Sequence, residues 1–141
     1  MAFDNIIGIA GSALNAQLTR LNATASNMAN AGTVAGTEAE AFRAKRMVFK
    51  SLVDEQMTQA GSPYAGGVQI ERVIDDPASP RLVFQPNNPL ANKDGYVYQS
   101  NVSEVSEMVE MMAAARSYQN NVEVINTARQ LMSRTLDITK A

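Results

Sequence analysis

Apolar and small residues recur at alternating spacings of four and three along the first 31 residues of the chain. Between Asn5 and Ala31 the only charged side chain is that of Arg20. A repeat of this period places its members on one side of an α-helix, where they can meet a second helix. The sequence therefore predicts an N-terminal helix whose apolar seam consists of Ile7, Gly11, Leu14, Leu18, Leu21, Ala25 and Met28.

The C-terminal part of the chain carries two apolar stripes at helical spacing. The first stripe consists of Met111, Ala115, Tyr118, Val122, Ile125, Met132 and Leu136, and the second of Val124, Ala128, Leu131 and Ile138. A helix with two apolar stripes needs two neighbours to cover them. Because little else in a chain of 141 residues is left to bury both ends, the pattern predicts contacts with partner subunits.

Polar residues predict where the two helices begin and end. Asp4 can cap the first helix and complement its dipole, and the helix should end within residues 30–32, with Asn30 as a left-handed or capping residue. Ser103, followed by Glu104 and Glu107, gives the last helix an acidic start. This helix should run to about residue 137.

Gly and Pro punctuate the middle of the chain, and short β-branched runs lie between them. Residues 33–37 are expected to form a loop, and residues 38–59 a helical or irregular segment. An Asp-Gly turn signal at Asp94 indicates a hairpin. The predicted strands are residues 68–74, 81–84 and 96–99, of which the last two form the hairpin.

The absence of Cys and His limits the chemistry open to the chain. It excludes a thiol nucleophile, a disulfide framework, an imidazole base and the usual zinc or iron ligand sets. No Walker A loop, GxGxxG or GxSxG pattern is present. We therefore expect neither an enzyme nor a protein that binds a cofactor or a small-molecule substrate.

Clusters of carboxylates in the middle of the chain are poor candidates for catalysis or metal binding. The adjacent pairs Asp54-Glu55 and Asp75-Asp76 point to opposite faces if extended, which does not suit a shared acid and base. Residues 92–95 resemble part of a calcium loop but lack the remaining oxygen ligands and the closing Glu. We expect a turn there.

The charge distribution argues against nucleic acid as a partner. The formal net charge is -2, whereas nucleic-acid binding needs a basic face. The basic cluster Arg43, Lys45, Arg46 and Lys50 is expected to be a solvated patch. Residues 34–102 hold eight acidic and seven basic residues, so the middle of the chain is expected to face water.

Two features leave an alternative function open. Met108, Met111 and Met112 are expected to fill the core, with a dedicated partner site as the alternative. Both ends of the chain are amphipathic, so a soluble or membrane-surface helical protein-binding module is the alternative to a subunit of an assembly. The polar face of the first helix carries amides and hydroxyls rather than Lys and Arg, which argues against binding to a membrane surface.

We expect no cleaved signal peptide and no membrane-spanning segment.

Motifs along essentially the whole chain resemble those of bacterial flagellar axial proteins. The N-terminal signature is GSALNAQ at residues 11–17, RLN at 20–22 and SNMAN at 26–30. It is similar to that shared by rod, hook and hook-associated proteins. Further runs are similar to the proximal rod group in particular. They are FRAKRMVF at 42–49, PRLVF at 80–84, NPLA at 88–91, GYV at 95–97 and ARSYQNNVEVINTA at 115–128.

The resemblance implies a structural subunit of the basal-body proximal rod, which assembles into a drive shaft that transmits torque and surrounds the export channel. Its implied partners are copies of itself, other rod proteins, the MS ring and export-gate base of the rod, and the flagellar type III export apparatus. It would be exported unfolded, without signal cleavage, and assembled in the periplasm. A targeting role in export is the alternative for Asn27 and Asn30.

The expected fold is mainly α with a small β module. The resemblance implies that the long terminal helices, within residues 1–33 and 103–141, pair in a coiled-coil-like inner domain, and that residues 34–102 form a β-rich outer domain. The residues expected at the assembly interface are Ile7, Leu14, Leu18, Leu21 and Met28 in the first helix, and Met111, Tyr118, Val122, Ile125, Met132 and Leu136 in the last.

Overall fold

The computed structural model describes residues 2–52 and 66–140, in which two long helices enclose five short strands along the chain. The fold is mainly helical with a small β module, as predicted. The elements in chain order are α1 (Ala2–Ala29), β1 (Val34–Ala35), β2 (Lys45–Leu52), β3 (Gly67–Asp75), β4 (Arg81–Phe84), β5 (Tyr96–Gln99) and α2 (Glu104–Lys140).

The helix boundaries follow the polar signals in the sequence. Helix α1 begins at Ala2, so Asp4 lies within its first turn and does not cap it, and the helix ends at Ala29, one residue before the predicted range. Helix α2 begins at Glu104, has Glu104 and Glu107 in its first turn, and continues to Lys140. Asn30 caps α1 by donating from Nδ2 to the Ser26 carbonyl (2.8 Å). Of the two alternatives expected for Asn30, the structure shows capping and not the left-handed conformation, because no described residue other than glycine has a positive φ.

The strands form two separate sheets. Strands β1, β5 and β4 make a three-stranded sheet in that order, and β2 pairs with β3. In the predicted hairpin, Leu82 lies opposite Tyr98, Val83 opposite Val97 and Phe84 opposite Tyr96. The predicted strands at 81–84 and 96–99 are confirmed, and β3 extends one residue beyond its prediction at each end.

A side-chain cap shapes the turn before β5. Asn92 Oδ1 accepts from the backbone N–H of Asp94 (3.0 Å) and of Tyr96 (2.9 Å). The N–H of Gly95 donates to the Asn92 carbonyl (2.9 Å), and the φ of Gly95 is 81°. A φ in this range places an L side chain against its own backbone. The polar residues of this segment therefore form a turn that these hydrogen bonds stabilise.

Replacing Gly95 with Ala is expected to lower the free energy of unfolding by about 1–2 kcal/mol, because the positive φ disfavours any Cβ. The new Cβ would also lie 2.9 Å from Phe84 Cε2. Gly32→Ala is the matched control, since no atom lies within 4 Å of its Cβ position. Urea unfolding of the purified variants measures both changes, and an equal effect at the two glycines would contradict the strain at Gly95.

Two expectations for the middle segment are wrong. Residues 33–37 contain β1, which pairs Val34 with Gln99 and Ala35 with Tyr98. Residues 45–52 form β2 instead of a helical or irregular segment. Strand formation depends on packing against the partner strand as well as on local sequence. The sequence of such a segment alone therefore does not determine that it is a strand. The part of that segment beyond residue 52, including the Asp54-Glu55 pair, lies outside the described residues.

The chain divides into two compact units. The first unit comprises the described residues of Met1–Arg20, Val48–Arg72 and Ala113–Ala141, and the second those of Leu21–Met47 and Val73–Met112. In the second unit Ala31, Ala44 and Val102 form a small core with Phe42 packed against it. In the first unit the buried apolar residues among those described are all alanines, namely Ala10, Ala16, Ala114 and Ala128.

The middle of the chain exposes apolar as well as charged side chains. Leu82, Phe84 and Tyr96 in the three-stranded sheet and Leu90 in the loop between β4 and β5 are exposed. Neither helix, over the residues described, combines enough length and apolar character to cross a membrane.

Candidate assembly surface

Polar side chains at the C-terminal end of α1 form hydrogen bonds with backbone N–H and carbonyl groups. The side-chain amide of Asn27 binds both backbone groups of Lys45: Oδ1 accepts from its N–H (2.7 Å) and Nδ2 donates to its carbonyl (3.0 Å). Thr33 Oγ1 donates to the Asn30 carbonyl (2.8 Å). The SNMAN run therefore fixes the path of the chain after α1, which is a structural role for Asn27 and Asn30.

The second unit contains a buried carboxylate. Glu107 is 1% exposed, and its two oxygens have different partners. Oε2 accepts from Asn27 Nδ2 (3.0 Å) and Oε1 accepts from Arg46 Nη1 (2.8 Å). Arg46 Nε donates in turn to Asp76 Oδ2 (3.1 Å). We call Asn27, Arg46, Asp76 and Glu107 the Glu107 clasp, because it ties α1, β2, the end of β3 and α2 together.

The expectation of a solvated basic patch is wrong for Arg46, which pairs with the buried Glu107, whereas Lys45 and Lys50 are exposed. Arg46 belongs to the Glu107 clasp, Lys45 forms an ion pair with Asp75, and Arg43 lies 3.4 Å from Glu38. Asp75 and Asp76 therefore each pair with a separate base. A fully buried carboxylate needs such a partner, because an isolated buried charge is strongly unfavourable.

The pKa values of Arg46 and Asp76 are both shifted. Burial acts to lower the pKa of Arg46, but hydrogen bonds and attraction from Asp76 and Glu107 outweigh it, so the pKa is raised. The pKa of Asp76 is lowered, first by the hydrogen bond that its carboxylate accepts from the backbone N–H of Ala78, and then by Arg46 and Arg43. Both shifts favour the charged forms, which the ion pair requires.

Acid should weaken the second unit through Asp76. Because the folded-state pKa of Asp76 lies below its ordinary value of 3.8, its contribution to stability is present above that value and is lost as pH falls through the folded-state pKa. We expect Asp76→Asn to be less stable than the parent chain at about pH 7 and to lose less stability between about pH 5 and pH 2. Urea midpoints across this range test it, and parallel curves for the two chains would contradict it.

The predicted assembly residues fall into two groups in the single chain. Leu18 and Leu136 are exposed. The remaining predicted residues are half-buried, and they are Ile7, Leu14, Leu21, Met28, Met111, Tyr118, Val122, Ile125 and Met132. A half-buried side chain already has neighbours within its own chain, so the second stripe of α2 is more available to a partner. Val124, Leu131 and Ile138 of that stripe are all exposed.

The first unit has a groove along this second stripe. It has a volume of about 350 Å³ and is lined by Ile6 of α1 and by Val124, Ala128 and Leu131 among residues of α2. Ile6 and Ile9, which the predicted seam does not include, are exposed. An exposed apolar groove of this kind is typical of a protein-interaction surface rather than of a catalytic site.

The expectation that the Met cluster fills the core is wrong for two of its members. Met108 and Met112 are exposed, whereas Met111 is half-buried. Sequence reasoning also missed the exposed Val105 and Val109. Their spacing with Met108 and Met112 is that of a helical stripe, which could have revealed a third apolar face. Among the residues that the structure describes, no group of acidic side chains could hold a metal ion.

Comparison with known proteins agrees with this picture of a helical assembly protein. Residues 7–35 match the family model "Flagella basal body rod protein", and residues 93–138 match "Flagellar basal body rod FlgEFG protein C-terminal". The chain is 51% identical to the flagellar basal-body rod protein FlgC of Yersinia enterocolitica and 49% identical to that of Salmonella typhimurium, in each case over 98% of both chains. The FlgC of Bacillus subtilis is 30% identical over 95% of this chain and 96% of its own. The chain therefore belongs to the FlgC family of flagellar basal-body rod proteins.

Proposed function

We propose that the chain is a structural subunit of the flagellar basal-body proximal rod, which assembles with copies of itself and with other rod proteins into a shaft that transmits torque. The family supports a structural role rather than an enzymatic one. The finer parts of the proposal are a place around the export channel in the periplasm, contact with the MS ring and the export-gate base, and export by the flagellar type III apparatus without signal cleavage.

One observation carries the proposal. In the first unit the buried apolar residues among those described are alanines, while Ile6, Leu18, Val124 and Leu131 remain exposed. Burial of alanine methyl groups contributes little of the hydrophobic free energy that large aliphatic side chains provide. The described helical parts of this unit therefore have exposed apolar surface that is available to a neighbouring subunit.

Packing against neighbours also suits the mechanical task. A shaft transmits torque when its subunits cannot rotate relative to one another, and interdigitated helices resist such movement because packed interiors are nearly incompressible. The groove beside Val124 and Leu131 offers a place for a neighbour's side chains. No bond has to be made or broken for this function, in keeping with the lack of Cys and His.

Leu131→Asp is expected to abolish rod assembly and leave export of the subunit intact. Leu131 is 47% exposed in the single chain, so the variant should fold normally, whereas a charge buried at an interface costs several kcal/mol. This position is a cleaner test than the half-buried Leu21 or Ile125, where Asp would disturb the subunit as well. The neighbouring Gln130→Asp is the control, because Gln130 is exposed and lies outside the apolar stripe.

The variants are best compared in a flagellated host that lacks its own copy of the gene. Swimming, purified basal bodies and the amount of subunit exported are measured together, with circular dichroism of the purified chains as the test of folding. We expect exported Leu131→Asp without rods, and normal rods with Gln130→Asp. Normal rods in both variants would contradict an assembly role for the second stripe of α2.

A further inference from the structure

The turn before β5 contains the single Asp-Gly pair of the chain, Asp94-Gly95, and the sequence has no Asn-Gly pair. An Asp-Gly bond is chemically labile in a flexible peptide, because glycine has no side chain to hinder attack of its backbone nitrogen on the preceding carboxyl group. Asp94 is exposed, so its carboxyl group is in contact with water. The pair is therefore a candidate site of spontaneous covalent modification.

The modification is isomerisation of aspartate to isoaspartate, which occurs in two steps. First, the Gly95 nitrogen attacks Cγ of the protonated Asp94 carboxyl group. An N–Cγ bond forms, the amide proton is lost, and the carboxyl hydroxyl leaves as water. Second, water opens the resulting succinimide ring at either carbonyl. Cleavage of the new bond restores aspartate, whereas cleavage of the original peptide bond leaves Gly95 attached through Cγ, so the only reactant is water.

Hydrogen bonds hold the peptide groups on both sides of Gly95. Its N–H donates to the Asn92 carbonyl (2.9 Å), and its carbonyl accepts from the N–H of Gln85 (2.8 Å). Asn92 Oδ1 also accepts from the N–H of Asp94 and of Tyr96. An amide nitrogen attacks a carbonyl carbon only from a close and aligned approach. Rotation of the Gly95 nitrogen toward the carboxyl group would break these hydrogen bonds.

We propose that Asn92 is a guard residue, which keeps the Asp94-Gly95 bond from isomerising in the folded chain. The backbone carbonyl and the side-chain Oδ1 of Asn92 together bind three successive N–H groups, those of residues 94–96. An Asn side chain that binds the backbone two residues further on stabilises a turn. Isomerisation then requires local opening of this turn, and the hydrogen bonds determine how often the turn opens.

Isomerisation would alter the hairpin that follows the turn. Isoaspartate inserts one extra carbon into the backbone just before β5, whose first residue, Tyr96, lies opposite Phe84. Val97, the next residue, is buried. Because the length and type of a turn determine the register of a hairpin, the guard residue protects both this register and the burial of Val97.

Isoaspartate formation in the purified chain tests the proposal. The parent chain, Asn92→Ala and Asn92→Asp are incubated for several weeks near neutral pH, and the parent chain is also incubated in urea. Isoaspartate at position 94 is measured by isoaspartyl methyltransferase labelling and by peptide mass spectrometry. We expect Asn92→Ala to isomerise about tenfold faster than the folded parent chain, because loss of two hydrogen bonds raises the open population of the turn by about this factor. Asn92→Asp retains an acceptor oxygen and should isomerise at close to the parent rate.

Asn88→Ala is the matched control. Asn88 lies in the same loop, where its Oδ1 accepts from the N–H of Leu90 (2.9 Å) and its Nδ2 donates to Gln85 Oε1 (2.9 Å). Its replacement removes a similar cap without removing a hydrogen bond of the Asp94-Gly95 peptide group, so the parent rate should persist. Because Asn92 is exposed, Asn92→Ala leaves no cavity, and circular dichroism verifies that each variant is folded.

Three results would overturn the proposal. Equal rates for the parent chain in buffer and in urea would mean that the turn gives no protection. A parent rate in Asn92→Ala would mean that Asn92 is not the source of the protection. Equal acceleration in Asn88→Ala and Asn92→Ala would mean that general loosening of the loop, rather than the hydrogen bonds of Asn92, controls the reaction.

Discussion

Replacing Arg46 with Met is expected to lower the free energy of unfolding of the second unit by about 3 kcal/mol, because it leaves the buried carboxylate of Glu107 without its cation. Removal of one member of a fully buried pair costs about 3–5 kcal/mol. The lower end of that range applies here because the Arg46 side chain is 40% exposed, whereas that of Glu107 is 1% exposed. Urea unfolding followed by circular dichroism measures the change.

Two further variants separate the charge effect from other losses. Arg43→Met is the matched control, since Arg43 pairs with Glu38 near the surface, and its loss should cost less than about 1 kcal/mol. Glu107→Gln introduced together with Arg46→Met should recover part of the stability, because a neutral amide does not need a cation. If the double variant is no more stable than Arg46→Met, the uncompensated charge is not the cause of the loss.

Replacing Asn27 with Ala is expected to destabilise the second unit by about 3 kcal/mol, because three hydrogen bonds are lost at one buried side chain. The N–H and carbonyl of Lys45 and Oε2 of Glu107 all lose their Asn27 partner. Each buried polar group left unpaired costs about 1–3 kcal/mol. Because Lys45 is exposed, water can form part of the lost hydrogen bonds and so reduce this cost.

Asn27→Asp sharpens the test because it keeps the shape of the side chain. Its second carboxylate oxygen would face the Lys45 carbonyl and Glu107 Oε2, each 3.0 Å away in the parent chain. Two carboxylates at that distance repel each other, so this variant should be less stable than Asn27→Ala at neutral pH. Asn30→Ala, which loses one hydrogen bond at the helix end, serves as the control. Equal urea midpoints for Asn27→Ala and Asn30→Ala would contradict the central position of Asn27.

The sequence alone was sufficient to predict the elements that local residue patterns determine. The helices carry their own period and their own polar ends, so the start of α2 at Glu104 and the end of α1 near Asn30 were predictable. Strands β4 and β5 lie between Pro and Gly signals, and the Asp94-Gly95 turn joins them. Strand β2 was not predictable, because its apolar positions have no clear period and its pairing with β3 is a contact made across the chain.

The Glu107 clasp shows why the buried site could not be predicted. Glu107 lies in the first turn of α2, where an acidic residue is already explained by the helix dipole, and Arg46 belongs to a basic run that is typical of a solvated surface. The hydrogen bond between Asn27 and Glu107 spans 80 residues of sequence. Only the fold brings these groups together, so no spacing in the sequence indicates the contact.

The sequence predicted apolar stripes on α1 and α2 but not which of them are exposed. Leu18, Val124, Leu131 and Leu136 are exposed in the single chain. Which stripe a helix turns toward its own chain depends on packing that periodicity alone does not determine. Exposure of Val124, Leu131 and Ile138, with Ile125 and Met132 half-buried, is therefore information that the structure adds.

Amide hydrogen exchange tests the central claim most directly, namely that neighbouring subunits complete the helices of the first unit. The purified chain is compared with the chain in basal bodies. We predict fast exchange at residues 4–20 and 113–137 in the purified chain, where burial is confined to alanines, and strong protection of the same residues after assembly. Residues 21–29 and 104–112, held by the Glu107 clasp, should be protected in both states. Equal protection of residues 4–20 and 113–137 before and after assembly would contradict the account.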